Sequence, residues 1–269
     1  MKITIIHGQN HEGSTCMVAR ELAEKVGGEV QEFFLPRDFD HPCCGCFSCF
    51  QADLSRCPHY KDLEPLEKAI LASDLLILDS PVYVYHASGQ MMSFLDHFGT
   101  WWVVHRPRPE MSGKQAVAIS TAAGGGMKST TRDMADSLEM WGIRKVYRLD
   151  LGVQAIKPAE IPLRIQASIH RKTSRLARQI RENTGKTGCN VRARKWFYLM
   201  RFAHRNEVRF SNFFRKTDFS FLEGRLNFQL HRKSSACQTK NDLAHHQVFS
   251  EKVQTGLDKS DTGRYYMCG

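Results

Sequence analysis

The sequence predicts an α/β fold in which a parallel sheet carries helices on both faces. Three observations support it. Strand-like and helix-like segments alternate five times within about 180 residues, the order that builds successive βαβ units. Leu75-Leu76-Ile77-Leu78 is apolar throughout, as in a strand covered on both sides. Three strands also run out into loops rich in glycine, serine or proline, on the edge where open α/β sheets take up ligands.

Ile3 to His7 forms the first strand, and Ser14 and Thr15 open a helix with Val18, Leu22 and Val26 at helical spacing until Gly27-Gly28 stops it. Val30 to Leu35 reads as the second strand. The connection after it is unusually long, which marks it as functional. Glu64 to Leu71 reads as a helix, Leu75 to Leu78 as the third strand with Pro81-Val82-Tyr83 at its exit, and Gly89 to Phe98 as the next helix. Ala116 to Ser120 is the fourth strand, Met127 to Met140 a helix, Val146 to Leu151 the fifth strand, and Ile161 to Ile180 a basic amphipathic helix. These elements define a domain over residues 1–183. Residues 184–233 read as a basic, aromatic and partly helical extension, and residues 234–269 as a disordered polar tail.

Charge follows the same division. Residues 1–150 carry 15 Lys and Arg against 19 Asp and Glu, whereas residues 151–269 carry 23 against 9. A mildly acidic body with a basic appendage is expected, not a protein that is basic throughout. No apolar run approaches the roughly 20 residues that span a bilayer, and Met1 to Ile6 passes directly into a strand without the form of a cleavable leader. A cytoplasmic location is the expectation.

Five of the nine cysteines fall between Cys43 and Cys57. Cys43, Cys46, Cys49 and Cys57 follow the spacing C-x2-C-x2-C-x7-C, which can converge four thiolates on one metal or iron–sulfur centre. A metal-free loop that shapes a pocket is the competing reading, and in a reducing compartment a disulfide framework is the weaker one. Cys44 is out of phase with the four, and Cys16 reads as packing.

The loop after the first strand, Gly8-Gln9-Asn10-His11-Glu12-Gly13-Ser14-Thr15, feeds a helix N-terminus, where unpaired amides and the helix dipole favour a phosphate. It has neither the Gly-Lys-Ser/Thr of a triphosphate cradle nor Gly-x-Gly-x-x-Gly, so a monophosphate is the better guest. An ordinary capped helix is the plainer alternative. The exit of the third strand, Ser80-Pro81-Val82-Tyr83, and the Ala123-Gly124-Gly125 turn after the fourth lie on the same edge.

Taken together, GQNHEGST, PCCGCFSC…C, SPVYVYHASGQMMSFLDHF and STAAGGG resemble the flavodoxin-like NAD(P)H-dependent FMN reductase family, including its iron–sulfur flavoprotein branch. The resemblance covers roughly residues 1–180. It implies a three-layer α/β/α sandwich with a five-stranded parallel sheet in the order 2-1-3-4-5. It implies FMN, with its phosphate held by Gln9, His11, Gly13, Ser14 and Thr15 and its ring flanked by Ser80, Pro81, Val82, Tyr83, Ala123, Gly124 and Gly125. Gln9-Asn10-His11 replaces the family's usual Ser-Pro-Arg, which removes a permanent charge, so the expectation is a phosphate affinity that is lower, or that falls as His11 loses its proton. In the iron–sulfur branch, cysteines corresponding to Cys43, Cys46, Cys49 and Cys57 ligate a [4Fe–4S] cluster.

The expected function is therefore FMN-dependent oxidoreduction. NAD(P)H is the cosubstrate, and a quinone, free flavin, metal or protein is the electron acceptor. The flavin carries the chemistry, so no catalytic acid or base is nominated. The alternatives are an iron–sulfur flavoprotein that exchanges electrons with ferredoxin, and a non-enzymatic redox carrier or sensor. The basic aromatic segment from Arg192 to Lys216 is expected to embrace a second copy in a homodimer, ahead of contact with an acidic membrane surface. Nucleic acid is not expected, because no nucleic-acid motif accompanies the charge.

Overall fold

The structure is a computed structural model and describes residues 1–205 apart from 105, 156, 187 and 189. The phenylalanine-rich stretch after Arg205 and the expected tail over residues 234–269 lie outside the described residues.

The five strands are β1 (Lys2–His7), β2 (Glu29–Phe34), β3 (Leu75–Pro81), β4 (Gln115–Ala122) and β5 (Lys145–Gly152). They form one parallel sheet in the order β2-β1-β3-β4-β5, as the resemblance implied. The helices are α1 (Ser14–Val26), α2 (Ser48–Gln51), α3 (Tyr60–Ala72), α4 (Gly89–Asp96), α5 (Met127–Met140), α6 (Leu163–Glu182) and α7 (Val191–Arg205). The strand order reverses between β1 and β3, and at such a switch point the loops leaving the two strands diverge to opposite faces and leave a crevice.

Side chains on β3 alternate between the two cores. Leu76 and Leu78 pack with Leu63 and Ile70 of α3, Met91 and Phe94 of α4, and Met134 and Leu138 of α5. Leu75 and Ile77 pack with Val18 and Leu22 of α1 and with Ile169, Leu176 and Ile180 of α6. With both faces covered, the continuous apolar run of β3 is what burial requires.

Boundaries differ from expectation by at most two residues except at β3, which runs on to Pro81 instead of ending at Leu78, and at α3. That helix starts at Tyr60 instead of Glu64 and carries Pro65 inside it, where the ring forgoes one intrahelical bond. The helix expected from Arg192 to Arg205 is α7, and it is tied to α5 of the same chain: Arg192 Nη1 lies 2.8 Å from Asp136 Oδ1 and 2.9 Å from Glu139 Oε2. Among the described residues no helix is long and apolar enough to cross a membrane.

Candidate functional site

The loop leaving β1 is held from below. The Gly8 amide donates to the Asp79 carbonyl at 2.7 Å, and the Gly8 carbonyl accepts from Ser88 Oγ at 2.5 Å. Ser88 caps α4 by accepting from the Met91 amide, and its own amide donates to Ser80 Oγ at 2.8 Å. One serine thus fixes the first loop to the exit of β3.

Above this anchor, α1 opens at Ser14 with Gly13 as its extended N-cap, with no side-chain cap and no acidic residue in its first turn. The first amides of a helix have no intrahelical acceptor. Gln9 and Ser14 are only 5% and 7% exposed, yet Gln9 Nε2 and Ser14 Oγ have no hydrogen-bond partner. Gln9 and His11 converge on Gly13: a Cβ there would stand 3.1 Å from Gln9 Nε2 and 3.3 Å from His11 Nε2. Unpaired amides ringed by two buried, unpartnered polar atoms and an exposed imidazole form a donor set suited to a phosphate monoester. Thr15 has a different neighbour. Its hydroxyl shares a 2.6 Å hydrogen bond with that of Thr121, which ties the start of α1 to the end of β4.

The other two loops abut each other. Ser80 is buried, Pro81 and Val82 are half-buried, and Tyr83, Val84 and Tyr85 stand 57%, 82% and 68% exposed. Tyr85 adopts φ 60°, a left-handed conformation uncommon outside glycine and enriched at functional loops. Ser129 Oγ on α5 donates to the Tyr85 carbonyl at 2.5 Å, and Asp133 accepts from the Ala87 amide at 3.3 Å. Gly126 caps α5 at φ 94°, and a Cβ there would meet Val82 Cγ1 at 2.7 Å. Ala123, Gly124 and Gly125 remain exposed beside it. The sequence picked out the Gly124-Gly125 turn, but Gly126 is the residue that lets the two loops touch.

A charged chain that sequence reasoning missed runs beneath the first loop. His7 and Asp79, both 0% exposed, meet with Nδ1 2.5 Å from Oδ2. His7 stacks on Phe34, with ring centroids 4.3 Å apart. Its Nε2 lies 3.7 Å from Glu32, which Arg20 grips with Nε at 2.9 Å and Nη2 at 2.8 Å. The same guanidinium reaches Glu12 in the loop at 3.0 Å. Burial opposes a charge on His7, but its bonds to Asp79 and Cys16 prevail and push its pKa up to about 10. Burial also pushes the Asp79 carboxyl up, against the pull of His7. Both shifts make the folded pair hold protons more tightly than the unfolded chain does. The available signal was an acid inside an otherwise apolar strand, Leu75 to Asp79.

The cysteine segment leaves the C-terminal end of β2. Cys43, Cys44 and Cys46 are exposed, while Cys49 and Cys57 are half-buried against the core of α3, α4 and α5. Burial pushes the Cys49 thiol up to about 11, and the neighbouring charges of Cys57, Cys43 and Cys46 add to that. A hydrogen bond from Ser48 draws Cys46 down. The chemistry of the four spaced thiols suits a soft metal or an iron–sulfur cluster, although among the described residues no three His, Cys, Asp or Glu side chains stand in ligating geometry. Cys16 is buried, as expected.

Comparison with known proteins decides the family. The sequence profile of the NADPH-dependent FMN reductases matches residues 1–152. The chain belongs to that family. As an FMN reductase family member it is an NAD(P)H-dependent FMN oxidoreductase. An iron-sulfur flavoprotein of Archaeoglobus fulgidus is 29% identical over 161 residues, covering 59% of this chain and 67% of that protein. A second, from Methanocaldococcus jannaschii, is 29% identical over 138 residues, covering 50% and 69%. Among solved structures, an azoreductase of Bacillus anthracis superposes with a TM-score of 0.51 at 12% identity, over 66% of this chain and 99% of its own. A flavone reductase superposes with a TM-score of 0.52 at 15% identity, over 98% and 100%. The two structural likenesses speak to the fold.

Proposed function

We propose that FMN sits on the C-terminal edge of the sheet, over the β1–β3 switch point, and passes electrons from NAD(P)H to a small-molecule or protein acceptor. Gln9, His11, Gly13, Ser14 and Thr15 surround its phosphate. Ser80, Pro81, Val82 and Tyr83 on one side, and Ala123, Gly124 and Gly125 on the other, flank its ring. The observation that carries this reading is the pair of buried, unpartnered atoms, Gln9 Nε2 and Ser14 Oγ, beside the open amides of α1. Bound FMN supplies a ring that accepts a hydride and releases electrons. The chain's own residues bind and orient: the α1 amides take the anion, Ser88 fixes the loop beneath it, and Ser129 and Asp133 hold the 80–87 loop against α5.

Titration with FMN, followed by flavin fluorescence, tests the reading. Ser14→Ala and Gln9→Ala should each weaken FMN binding about tenfold, as expected for loss of a hydrogen bond to a charged acceptor. Gly124→Ala has open space around its Cβ, so folding should be unchanged and any loss of FMN affinity should report a flavin close to that backbone. Wild-type protein that neither carries nor takes up FMN would sink the proposal.

A second reading has its own support in the C-x2-C-x2-C-x7-C spacing and in the two iron-sulfur flavoproteins among the relatives. In it, Cys43, Cys46, Cys49 and Cys57 hold a [4Fe–4S] cluster and electrons are exchanged with ferredoxin. Anaerobic preparation and iron and sulfide analysis should then give about four irons per chain, given four-cysteine ligation. A homodimer is the proposed assembly, with the exposed Val191 and Tyr198 of α7 as contact residues. Sedimentation of a Tyr198→Asp variant as a monomer beside a dimeric wild type would support it, and equal masses would not.

A further inference from the structure

Helix α5 begins beside the turn proposed to flank the flavin, and its charged residues fall into two groups. The three acids are all engaged. Asp133 accepts from the Ala87 amide and lies 3.2 Å from His86 Nδ1, while Asp136 and Glu139 hold Arg192 at 2.8 and 2.9 Å. The two cations, Lys128 and Arg132, are exposed, and neither is paired with a carboxylate among the described residues. They stand four residues apart, and so on one face, within the first two turns of the helix. Surface cations usually face only water, but this placement works against the helix. Like charges at that spacing repel each other, and the first turn, where the helix dipole favours acids, has none and carries Lys128. Departures from local rules of this kind concentrate at functional sites.

Beside the two cations lies an aromatic ring that the flavin site leaves unused. Tyr85 is fixed at its carbonyl by Ser129 Oγ, 2.5 Å away, and Ser129 falls between Lys128 and Arg132 in the chain. The Tyr85 ring lies along the Gly125-Gly126 turn: a Cβ on Gly125 would stand 3.8 Å from its hydroxyl oxygen, and one on Gly126 3.2 Å from its Cδ1. Although held on both counts, the residue remains largely exposed. A positioned aromatic surface next to two unpaired cations matches a purine nucleotide with a phosphate on it. We propose that Tyr85 receives the adenine of NADPH and that Lys128 and Arg132 receive its 2′-phosphate, which makes the enzyme selective for NADPH over NADH. The two cofactors differ only in that phosphate, so the groups that touch it set the preference. Arginine suits the task, because its planar fork binds phosphate through two parallel hydrogen bonds. At the helical rise Arg132 stands about 9 Å along the axis from the Gly126 cap, which sets the phosphate apart from the turn beside the flavin, as the two ends of a dinucleotide require. The proposal rests on the FMN site described above and adds the hydride donor to it.

Isothermal titration of the FMN-loaded protein with adenosine 2′,5′-bisphosphate and with 5′-AMP reads the site without turnover. Wild type should bind the bisphosphate about a hundredfold more tightly, and Lys128→Ala combined with Arg132→Ala should bind the two nucleotides alike, at about tenfold per cation lost. Arg132→Lys, which keeps the charge, should retain more of the difference than Arg132→Ala. Tyr85→Leu should weaken both nucleotides together, because both contain adenine. In steady state, the ratio of kcat/KM for NADPH to that for NADH should fall by the same hundredfold in the double variant, through KM for NADPH. Misfolding or loss of FMN would depress both nicotinamides together and leave that ratio in place, so the ratio reports the phosphate contact alone. A wild type that prefers NADH, or a ratio and a nucleotide difference unchanged in the double variant, overturns the assignment while the FMN site stands. Wild type that takes up no FMN overturns both.

Discussion

Asp79→Ala is expected to cost about 3–5 kcal/mol of folding stability, the usual scale when one partner of a buried charge pair is removed. The substitution strands His7, 0% exposed, with its Nδ1 facing a cavity and Glu32 3.7 Å away as the remaining acid. Urea denaturation monitored by circular dichroism measures the loss, and a change under 1 kcal/mol would show that the His7–Asp79 contact is dispensable. The same pair sets a pH dependence. His7 has a folded pKa of about 10 against 6.5 unfolded, so its contribution is fully present below pH 6.5 and is lost as pH rises towards 10. The raised Asp79 carboxyl has the same sign, but its contribution begins to be lost as pH rises above 3.8, so the fall above pH 6.5 is assigned to His7. Wild-type Tm should therefore fall by several degrees between pH 6.5 and pH 10, and the fall should be shallower in His7→Gln. Parallel curves would remove His7 as the source.

Sequence revealed those features whose signal is local. The alternation of strands and helices, the doubly covered β3, the helix opening at Ser14 and the long cysteine connection each announce themselves within a few residues, through periodicity, glycine or spacing. Strand order, by contrast, came from the family resemblance. Gln9, Ser14 and Gly13 were legible for the same reason, since a strand, a loop and a helix start occur in succession. What remained hidden joins distant segments. The pairing of His7 with Asp79, Thr15 with Thr121, Ser88 with Gly8 and Asp133 with Ala87 all depend on strand register and helix docking, which one sequence does not disclose. Tyr83 illustrates the reverse limit: an aromatic beside an apolar strand reads by default as packing, but it stands 57% exposed. The contact between His97 and Cys57 was invisible because the two lie 40 residues apart and His97 looks like one more helix-end histidine.

Gly8→Val should produce the largest loss of cofactor affinity, about a hundredfold or more in FMN Kd, together with about 1–3 kcal/mol of destabilisation from overpacking. A Cβ at this position would meet Ser88 Oγ at 2.8 Å, the Asp79 carbonyl oxygen at 3.0 Å and Met91 Cβ at 3.2 Å. The serine hydroxyl can rotate away, but the Asp79 carbonyl is fixed in β3 and accepts the Gly8 amide at 2.7 Å. The loop must therefore lift, and lifting it breaks the Ser88–Gly8 bond that sets the distance between Gln9 and the N-terminus of α1. Ser88→Ala removes that bond without adding bulk, so it should reproduce a smaller part of the affinity loss, about tenfold on the scale of a single hydrogen bond. The ordering is the test: Gly8→Val worse than Ser88→Ala, and both worse than Gly124→Ala at the far side of the crevice. Equal FMN affinity in Gly8→Val and wild type would mean that the loop after β1 does not hold the phosphate.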